Sequence, residues 1–593
     1  MTDQQTGFDK NFRQYLINNG EKDVNGNAIN EYSHINPDAY DPSVFQLSWF
    51  NADDLLQNGT VSYYGYDHLG NKYSGLNDYL NNPENRYIAP YNPIYMAAYI
   101  QDEVVYENLN LRFGIRVDRF DANQQVLKDE FSLYPVKTVG ELTNDPNLGE
   151  ISVPGNIGSE YKVYVDDPYN PTKVVGYRHG DDWYMADGSE TNDPGVIAQQ
   201  SNTGTIAPYT NFSSRTEENE IGLTNEAFED YEPQINVMPR VAVRFPISDQ
   251  AMFFASYDVL TQRPQARNIA TVDAYYYLPA RSTSVVNNPN LRPEKTISYE
   301  VGFQQALTEN MAIKTYAYYR EMRDMIQIVP RRYAYPIDYT TFGNIDFGTV
   351  KAFVLSYKLR PSIEGVNKNA TIEANYTLQF ANATGSNSAT QASLINAGQP
   401  NLRTLQPTSQ DVRHNFVLSM DYRFADGDYY NGPTLGNGQK VFSNAGINFV
   451  ANATSGRPYT GQANVTQAVA FGVQQRSTID GSVNGNRYPW RFNVNMKIDK
   501  SFALNPGKPE ASQNHLQIYL WVQNVFNTRN IVSLYRYTGL PDDDGWLTSA
   551  EGQQAMLSTT SMQSYQDLYS VKMQNPGNYT RPRLVRLGAV ISF

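Results

Sequence analysis

The residues best suited to acid–base or metal chemistry are few and widely spaced. The chain of 593 residues contains no cysteine, which excludes disulfides, thiolate zinc sites and cysteine nucleophiles. No pair of its five histidines has HExxH spacing, and neither a G-x-S-x-G elbow nor a phosphate-binding glycine loop occurs. We therefore predict that the chain is not an enzyme. A surface enzyme embedded in a membrane stays an alternative, because His179 is near Asp181 and Asp182 in sequence.

One acidic stretch has the spacing of a calcium-binding loop. Asp542, Asp544 and Glu551 fall at positions 3, 5 and 12 of the EF-hand pattern, and Gly545 falls at position 6. Leu540 occupies position 1, where a side-chain oxygen is expected. Ca²⁺ is thus the one cofactor that the sequence suggests, and an acidic surface turn without a metal is the alternative.

The acidity of the chain is concentrated in one segment. The formal net charge is −14 at pH 7, and residues 122–234 contain 20 acidic and 6 basic residues. A net acidic chain is poorly suited to nucleic-acid phosphates, so we predict no nucleic-acid partner. The segment would suit a cationic substrate or divalent cations. The alternative is a loop that its charge keeps solvated.

Apolar and polar side chains alternate along much of the chain, as strands require. In residues 489–501, Trp490, Phe492 and Val494 alternate with Arg491 and Asn493. The mean hydropathy is −0.55, and no apolar run reaches the ~18–20 residues of a membrane-spanning helix. The predicted strand segments are 94–106, 109–121, 235–247, 251–261, 296–307, 311–322, 346–358, 369–380, 411–424, 445–454, 489–501, 515–525 and 583–593.

The connections between these thirteen segments alternate strictly between short and long. The short ones have 2–20 residues and the long ones 23–113 residues. Tight turns on one rim and large loops on the other are typical of an outer-membrane barrel. We therefore predict an all-β fold, a transmembrane antiparallel β-barrel with long extracellular loops. A soluble or surface-exposed all-β adhesin also alternates its side chains and stays an alternative.

Polar residues on one face of the predicted strands would line the lumen of such a barrel. They would lie on a substrate path or simply pair their charges with one another. Tyr316, Tyr318 and Tyr319 would stack a ligand near the rim, form an interfacial aromatic girdle or pack within the lumen. The charged positions of this face include Arg112, Arg116, Arg240, Arg244, Glu300, Lys314, Arg320, Arg413, Arg423, Arg491 and Lys497.

Four motifs, in this order along the chain, carry a family resemblance. They are YIQD with Gln101 and Asp102, FGIRVD at 113–118, NPNLRPEK at 288–295 and VQNVFNT at 522–528. The residues of the NP-x-L-x-PE pattern are Asn288, Pro289, Asn290, Leu291, Pro293 and Glu294. The last strand ends on the aromatic Phe593. This set resembles TonB-dependent outer-membrane receptors, and the many tyrosines and asparagines with very long loops are similar to the Bacteroidetes type.

The resemblance implies a plugged barrel of about 22 strands that imports a nutrient with energy from the TonB system. It implies the outer membrane of a Gram-negative bacterium, with outer-membrane lipid and lipopolysaccharide as neighbours and a surface lipoprotein as a further candidate partner. Thirteen strands, the last running toward the periplasm, place residues 1–93 outside the cell and make 94–593 the barrel portion. Residues 122–234 and 526–582 would be its largest extracellular loops. We expect the C-terminal part of a longer receptor, with the plug through which TonB acts outside this chain.

Overall fold

A single large antiparallel sheet dominates the computed structural model. The structure describes residues 3–592 except 24, 58, 60, 74–78, 143, 144, 146, 149, 150, 265–270, 281–284, 363–367, 397, 400, 471–476 and 506–513. Among the helices of this described part, none is long and apolar enough to span a membrane.

Thirteen strands form the sheet in chain order, each hydrogen-bonded to the next. Every predicted segment overlaps one of them, so the all-β antiparallel prediction is confirmed. The strands are β1 (Ile94–Tyr106), β2 (Leu109–Asp121), β3 (Gln234–Ser248), β4 (Ala251–Gln262), β5 (Glu294–Thr308), β6 (Met311–Arg331), β7 (Tyr339–Leu359), β8 (Ala370–Ala383), β9 (His414–Arg423), β10 (Ala445–Thr454), β11 (Arg491–Ala503), β12 (His515–Gln523) and β13 (Leu584–Ser592). Two short strands, Val285–Val286 and Gln406–Pro407, pair with β7 and β8.

The hairpin of β6 and β7 is much longer than the alternation predicted. The predicted connection of 23 residues, 323–345, is wrong, because β6 continues to Arg331 and β7 begins at Tyr339. The pairing register shifts between Met322 and Met325 and again before Ile326. Such bulges interrupt the two-residue alternation, which is why the sequence pattern stops at 322.

The two faces of the sheet differ in chemistry. One face exposes large apolar side chains, among them Phe113 on β2, Val241 on β3 and Val301 on β5. The opposite face is polar, and its charges pair across strands. At Gly302 on the polar face an added Cβ would lie 2.3 Å from the Phe254 ring, so only glycine fits there. An exposed apolar face behind a polar one is the arrangement of a transmembrane β-barrel wall.

The long connections carry most of the remaining secondary structure. The helices are Asp3–Asn18, Ala52–Gln57, Gly195–Ala198, Arg215–Ile221, Val272–Tyr276, Ala392–Asn396, Ala550–Leu557 and Met562–Met573. The short 3-10 helices are Pro37–Ala39, Pro42–Val44, Leu47–Trp49, Val139–Leu142, Asn225–Ala227, Gly427–Tyr429 and Pro576–Asn578. Two small hairpin-like pairs join Pro458–Tyr459 to Asn486–Arg487 and Gly461–Gln462 to Ile479–Asp480.

The connection between β2 and β3 folds into a compact unit, which we call the acidic module (residues 122–233). Gln125–Leu127 pairs with Phe228–Asp230 at its base. A four-stranded sheet above it consists of Lys162–Val165, Val174–His179, Asp182–Met185 and Glu190–Thr191. Its core contains fully buried Tyr164, Tyr177 and Tyr209. The alternative interpretation, a loop that its charge keeps solvated, is therefore incomplete, because the segment also has a hydrophobic core of its own.

The segment before β1 packs against the connection between β4 and β5. Arg86, which is 4% exposed, holds the two together. Its guanidinium donates to Asp53 Oδ1 at 2.9 Å, to the Tyr79 carbonyl at 3.0 Å and to Tyr276 Oη at 2.7 Å. Tyr276 belongs to a connection at the long-loop end of the sheet, so the N-terminal segment lies at that end as well.

Candidate functional site

The polar face of the sheet is the candidate functional surface. The ion pair between Arg240 and Asp258 joins β3 to β4 at 2.6 Å, and Arg423 reaches Asp499 of β11 with two hydrogen bonds of 3.0 and 2.9 Å. Lys358 and Glu373 pair between β7 and β8. The structure thus places predicted lumen residues on one face, where much of their charge is neutralised by neighbours.

Several other predicted lumen residues lie over aromatic rings of the same wall. The ammonium of Lys314 lies 4.7 Å from the ring centres of Phe254 and Tyr316, and the Arg320 guanidinium lies 4.6 Å from that of Tyr318. Lys497 lies 4.9 Å from the Tyr519 ring. Cation–π contacts of this kind contribute about 0.5–1 kcal/mol each at exposed sites. They hold the long basic side chains flat against the wall.

The predicted tyrosine cluster is divided between the two faces of the sheet. Tyr316 and Tyr318 stack on the polar face, with ring centres 6.4 Å apart. Tyr319 stacks instead on Tyr299, at 6.1 Å, and Tyr299 contacts Tyr257 at 5.2 Å. Tyr299 is 44% exposed on the apolar face. Tyr319 therefore lies on the apolar face while Tyr316 and Tyr318 pack on the polar face, and the aromatic-girdle interpretation stays a prediction.

A cavity of about 630 Å³ lies where β10, β11, β12 and β13 reach the long-loop rim. We call it the rim cavity. Antiparallel strands bring residues from four separate parts of the sequence to this one edge. Its lining residues are Asn452, Thr454, Arg491, Asn493, Asn495, Gln523, Asn524, Asn530, Thr580, Arg581, Pro582, Arg583 and Leu584. Eleven of these thirteen side chains are polar, and none is acidic.

Amide side chains build the frame of the rim cavity. Asn495 Oδ1 accepts from the backbone N–H of Asn524 at 3.0 Å and from Asn493 Nδ2 at 3.1 Å. Asn530 pairs with the backbone of Phe492 through both its amide groups, at 2.8 Å each. Asn524 Nδ2 donates to the Arg581 carbonyl at 3.2 Å. These bonds attach the long final connection to the strand ends and fix the cavity wall.

Several polar groups of the rim cavity have no protein partner among the described residues. The guanidinium groups of Arg491, Arg581 and Arg583 make no ion pair or hydrogen bond within that part of the chain. The same holds there for the amide of Gln523. Thr580 Oγ1 also has no hydrogen-bond partner among the described residues, but it is itself buried and not open to the cavity. The cavity therefore offers donors and acceptors that the rest of the wall uses internally.

The NP-x-L-x-PE motif fastens the start of β5 to the long β6–β7 hairpin. Asn288 is buried, and its Nδ2 donates to the Phe342 carbonyl at 3.0 Å. Leu291 is 2% exposed and packs with Ile326 and Phe342. Glu294 Oε1 accepts from the backbone N–H of Ile326 at 2.9 Å. Pro289 and Pro293 are buried and Asn290 is exposed. The geometry gives this motif a structural task at the rim.

Replacement of Asn288 by alanine is expected to destabilise the fold by about 1–3 kcal/mol, because it removes the buried hydrogen bond from Asn288 Nδ2 to the Phe342 carbonyl. The matched control is Asn290→Ala, two residues away and exposed, for which we expect less than about 0.5 kcal/mol. The free energy of unfolding in urea, measured in lipid vesicles, checks both values. Equal losses in the two variants would contradict the assigned role.

The other motif residues lie at the sheet edge or beyond the described chain. Gln101 and Asp102 belong to β1 and pair with Gly114 and Phe113 of β2. A Cβ on Gly114 would lie 3.2 Å from that of Gln101, so the two strands approach closely at this pair. Phe593 lies outside the described residues. Its predicted role at the C-terminus stays a prediction.

The predicted calcium ligands have different surroundings in the structure. Asp544 is 1% exposed, and its carboxylate accepts from the backbone N–H of Trp546 at 3.0 Å and from Tyr569 Oη at 2.5 Å. Asp542 and Glu551 are exposed. No group of three or more acidic or histidine side chains that would hold a metal is found among the described residues. Calcium binding here stays a sequence-based prediction. The Asp544 carboxylate has a structural role, because it accepts hydrogen bonds from Trp546 and Tyr569.

Two carboxylates organise the acidic module. Asp166 accepts hydrogen bonds from the backbone N–H groups of Thr172 and Lys173 at 2.8 and 3.1 Å. Burial opposes its ionisation, but these bonds and that from the Thr172 hydroxyl outweigh burial and lower the pKa of Asp166. Burial likewise opposes ionisation of Asp145, and hydrogen bonds from Tyr209 and Lys137 lower its pKa. Each ionised carboxylate therefore stabilises the folded module.

Acidification is expected to destabilise the acidic module. Because the folded-state pKa of Asp166 is lowered, its stabilising contribution is complete above the unfolded value of about 3.9. It is lost as the pH falls through the lower folded value. Thermal unfolding of the module within the whole protein, monitored by limited proteolysis at pH values from 6 to 2, should show this loss. The Asp166→Asn variant should be less stable than the unaltered protein at pH 6, and its stability should depend less on pH. A variant whose stability has the same pH dependence as the unaltered protein would contradict the role assigned to Asp166.

Sequence reasoning missed the rim cavity, although it identified Arg491 as a lumen residue. Asn452, Gln523 and Thr580 are far apart in sequence, and no local motif links them. The only available signal was the polar face of β11, on which Arg491, Asn493 and Asn495 recur every second residue. The connection between β12 and β13, which completes the cavity, shows no alternation at every second residue.

Comparisons with known proteins agree with this architecture. A family model described as "TonB dependent receptor-like, beta-barrel" matches residues 2–525. None of the curated proteins matches the chain. Among solved structures, the chain is similar to the FrpB iron transporter from Neisseria meningitidis (F3-3 variant), at 12% identity and a TM-score of 0.37, covering 74% of this chain and 42% of that one. It is also similar to the outer membrane transporter YddB from Escherichia coli, at 12% identity and a TM-score of 0.37, covering 74% and 51%. The chain thus spans about half or less of these structures.

Proposed function

The chain belongs to the family of TonB-dependent receptor-like β-barrels, and on that premise we propose that it forms the wall of an outer-membrane receptor that imports a nutrient. The observation that carries the proposal is the family match over most of the chain. The two-faced sheet supports it, because an exposed apolar face suits lipid and a polar face suits an aqueous lumen. The family is one of receptors, which agrees with the expectation that the chain is not an enzyme.

The edges of the sheet support a larger barrel. β1 is exposed at every residue, and β13 at every residue except Gly588. Unpaired strand edges present rows of N–H and C=O groups that favour pairing with further strands. In lipid such edges are costly, because no water satisfies them. We propose that about nine further strands complete a barrel of about 22.

The long connections support an orientation with the acidic module outside the cell. They leave the sheet at one rim, and the N-terminal segment packs on one of them through Arg86. Residues 1–93, 122–234 and 526–582 would then face the medium, close to lipopolysaccharide. Coupling to the TonB system would act through a plug domain. Assignment to the Bacteroidetes type rests on the many tyrosines and asparagines and the loop lengths. A surface lipoprotein partner follows only from that resemblance, and no particular residue of the chain supports it.

Localisation and import are tested separately. The full gene product should fractionate with the outer membrane, need detergent for extraction and migrate faster on gels before heating than after. Extraction in buffer alone would favour the soluble adhesin instead. Deletion of the gene and inactivation of the TonB system should abolish uptake of the same nutrient. Uptake that survives without TonB would contradict the proposed coupling.

A further inference from the structure

The rim cavity differs from the rest of the polar wall in its charge balance. Elsewhere on that wall Arg240, Arg423 and Lys358 each have a carboxylate partner. Lys314, Arg320 and Lys497 have no such partner among the described residues but lie over aromatic rings. In the rim cavity the three arginines have neither a carboxylate partner nor a ring contact within the described part of the chain, and no acidic side chain lines it. This contrast occurs in a chain of net charge −14, so a surplus of positive charge there is not a consequence of composition.

We propose that the rim cavity binds a small anionic ligand that carries carboxylate or phosphate groups together with hydroxyl groups. Arginine suits such an anion, because its planar guanidinium donates two parallel hydrogen bonds to a carboxylate or phosphate. Open access to solvent keeps the unpaired guanidinium groups hydrated in the empty cavity, and a ligand anion would replace that water. This proposal rests on the proposed receptor function, in which the ligand would be the imported cargo.

The neutral lining specifies the second half of the ligand. Asn452 and Gln523 each offer a donor and an acceptor from one planar amide, which matches a pair of neighbouring hydroxyl groups. Thr454 adds a hydroxyl group that both donates and accepts. A hydroxyl-bearing ligand would satisfy these groups.

The size of the cavity favours a small molecule over a protein segment. Its volume of about 630 Å³ lies within the range of about 300–1,000 Å³ that small-molecule sites occupy. Its wall is fixed by hydrogen bonds of Asn495, Asn524 and Asn530, so the site is formed before a ligand arrives. A preformed wall reduces the entropy that binding must offset.

The test compares two trisaccharides that differ at C6, where one carries carboxylates and the other hydroxymethyl groups, and adds inorganic phosphate as a simple anion. Binding of trigalacturonate, galactotriose and inorganic phosphate to the full gene product in detergent is measured by calorimetry. We expect saturable binding of trigalacturonate and at least tenfold weaker binding of the uncharged galactotriose. Arg491→Gln and Arg583→Gln should each weaken trigalacturonate binding by about tenfold to a hundredfold, since each removes a charged hydrogen bond. Arg215→Gln, which removes an exposed arginine of the acidic module, is the control and should bind as the unaltered protein does.

Three results would overturn the site: equal affinity for the charged and uncharged trisaccharides, unchanged affinity in both arginine variants, or no saturable binding of trigalacturonate and phosphate alike. Heat-dependent gel mobility confirms that each variant is folded. A protein that reaches the outer membrane but fails these binding tests loses the anion site and keeps the proposed receptor function. A protein that binds the anion but does not reach the outer membrane keeps the anion site and loses the proposed receptor function.

Discussion

An arginine in place of Val301 is expected to destabilise the barrel wall by about 2–4 kcal/mol, because it would face hydrocarbon near the middle of the membrane. Val301 is 48% exposed on the apolar face of β5, between Ala255 of β4 and Ala317 of β6. In a soluble protein, a residue so exposed would accept arginine at almost no cost. The free energy of unfolding in lipid vesicles measures the difference.

The matched control for this substitution is Ser256→Arg, one row away on the polar face. Ser256 pairs with Glu300, so a new arginine there would meet a carboxylate in an aqueous lumen. We expect a change within about 0.5 kcal/mol. Similar losses for the two variants would show that the faces are not distinguished by lipid and would contradict the barrel assignment.

Replacement of Arg178 by methionine is expected to cost the acidic module about 3–5 kcal/mol, because it leaves the carboxylate of Asp129 without its buried partner. Arg178 is 4% exposed and pairs with Asp129. Its guanidinium lies 4.8 Å from the centre of the Phe131 ring and 5.5 Å from that of Trp183. Proteolysis of the native protein, which reports opening of the module, measures the loss.

A second variant separates the ion pair from general disruption of the module. In Arg178→Met combined with Asp129→Leu no charge is left unpaired, so much of the loss should be recovered. About 1–3 kcal/mol should remain, because Asp129 Oδ1 also accepts from the backbone N–H of Phe131 at 2.9 Å, and Arg178 also donates to Tyr164 Oη at 2.8 Å and to the Gly180 carbonyl at 2.7 Å. A double variant as unstable as the single one would show that packing, not the unpaired charge, dominates.

The strands could be predicted because their pattern is local. One face of each strand meets a different solvent from the other, so apolar and polar residues alternate over the whole length of β5, β8 or β11. The pattern failed where the backbone departs from regular pleating. The register shifts that follow Met322 change which residues share a face. A search for alternation at every second residue therefore could not detect the continuation of β6 to Arg331.

The acidic module and the rim cavity were harder for other reasons. The strands of the module are short, and residues such as Tyr164 and Tyr177 are buried by partners distant in sequence. Its one local sign was the GYRHGDDWYM stretch, in which Gly180, at a φ of 59°, turns the chain between two strands. The rim cavity depends on which strand ends meet at the rim, and that is a property of topology. NP-x-L-x-PE was recognised as a motif, yet its role at the β6–β7 hairpin follows only from the contacts of Asn288 and Glu294.

The central claim is that one face of the sheet meets lipid and the other meets water. The absence of native cysteine allows single cysteines to be introduced without background. Along residues 297–304 of β5, cysteines should be tested in vesicles with a water-soluble maleimide and with a quencher attached to lipid. Gly302 is left unchanged, because only glycine fits there. We predict a strict alternation in which positions 298, 300 and 304 react with the maleimide, while 297, 299, 301 and 303 are protected and quenched. Uniform reaction with the maleimide and no quenching at any position would contradict a membrane-spanning sheet.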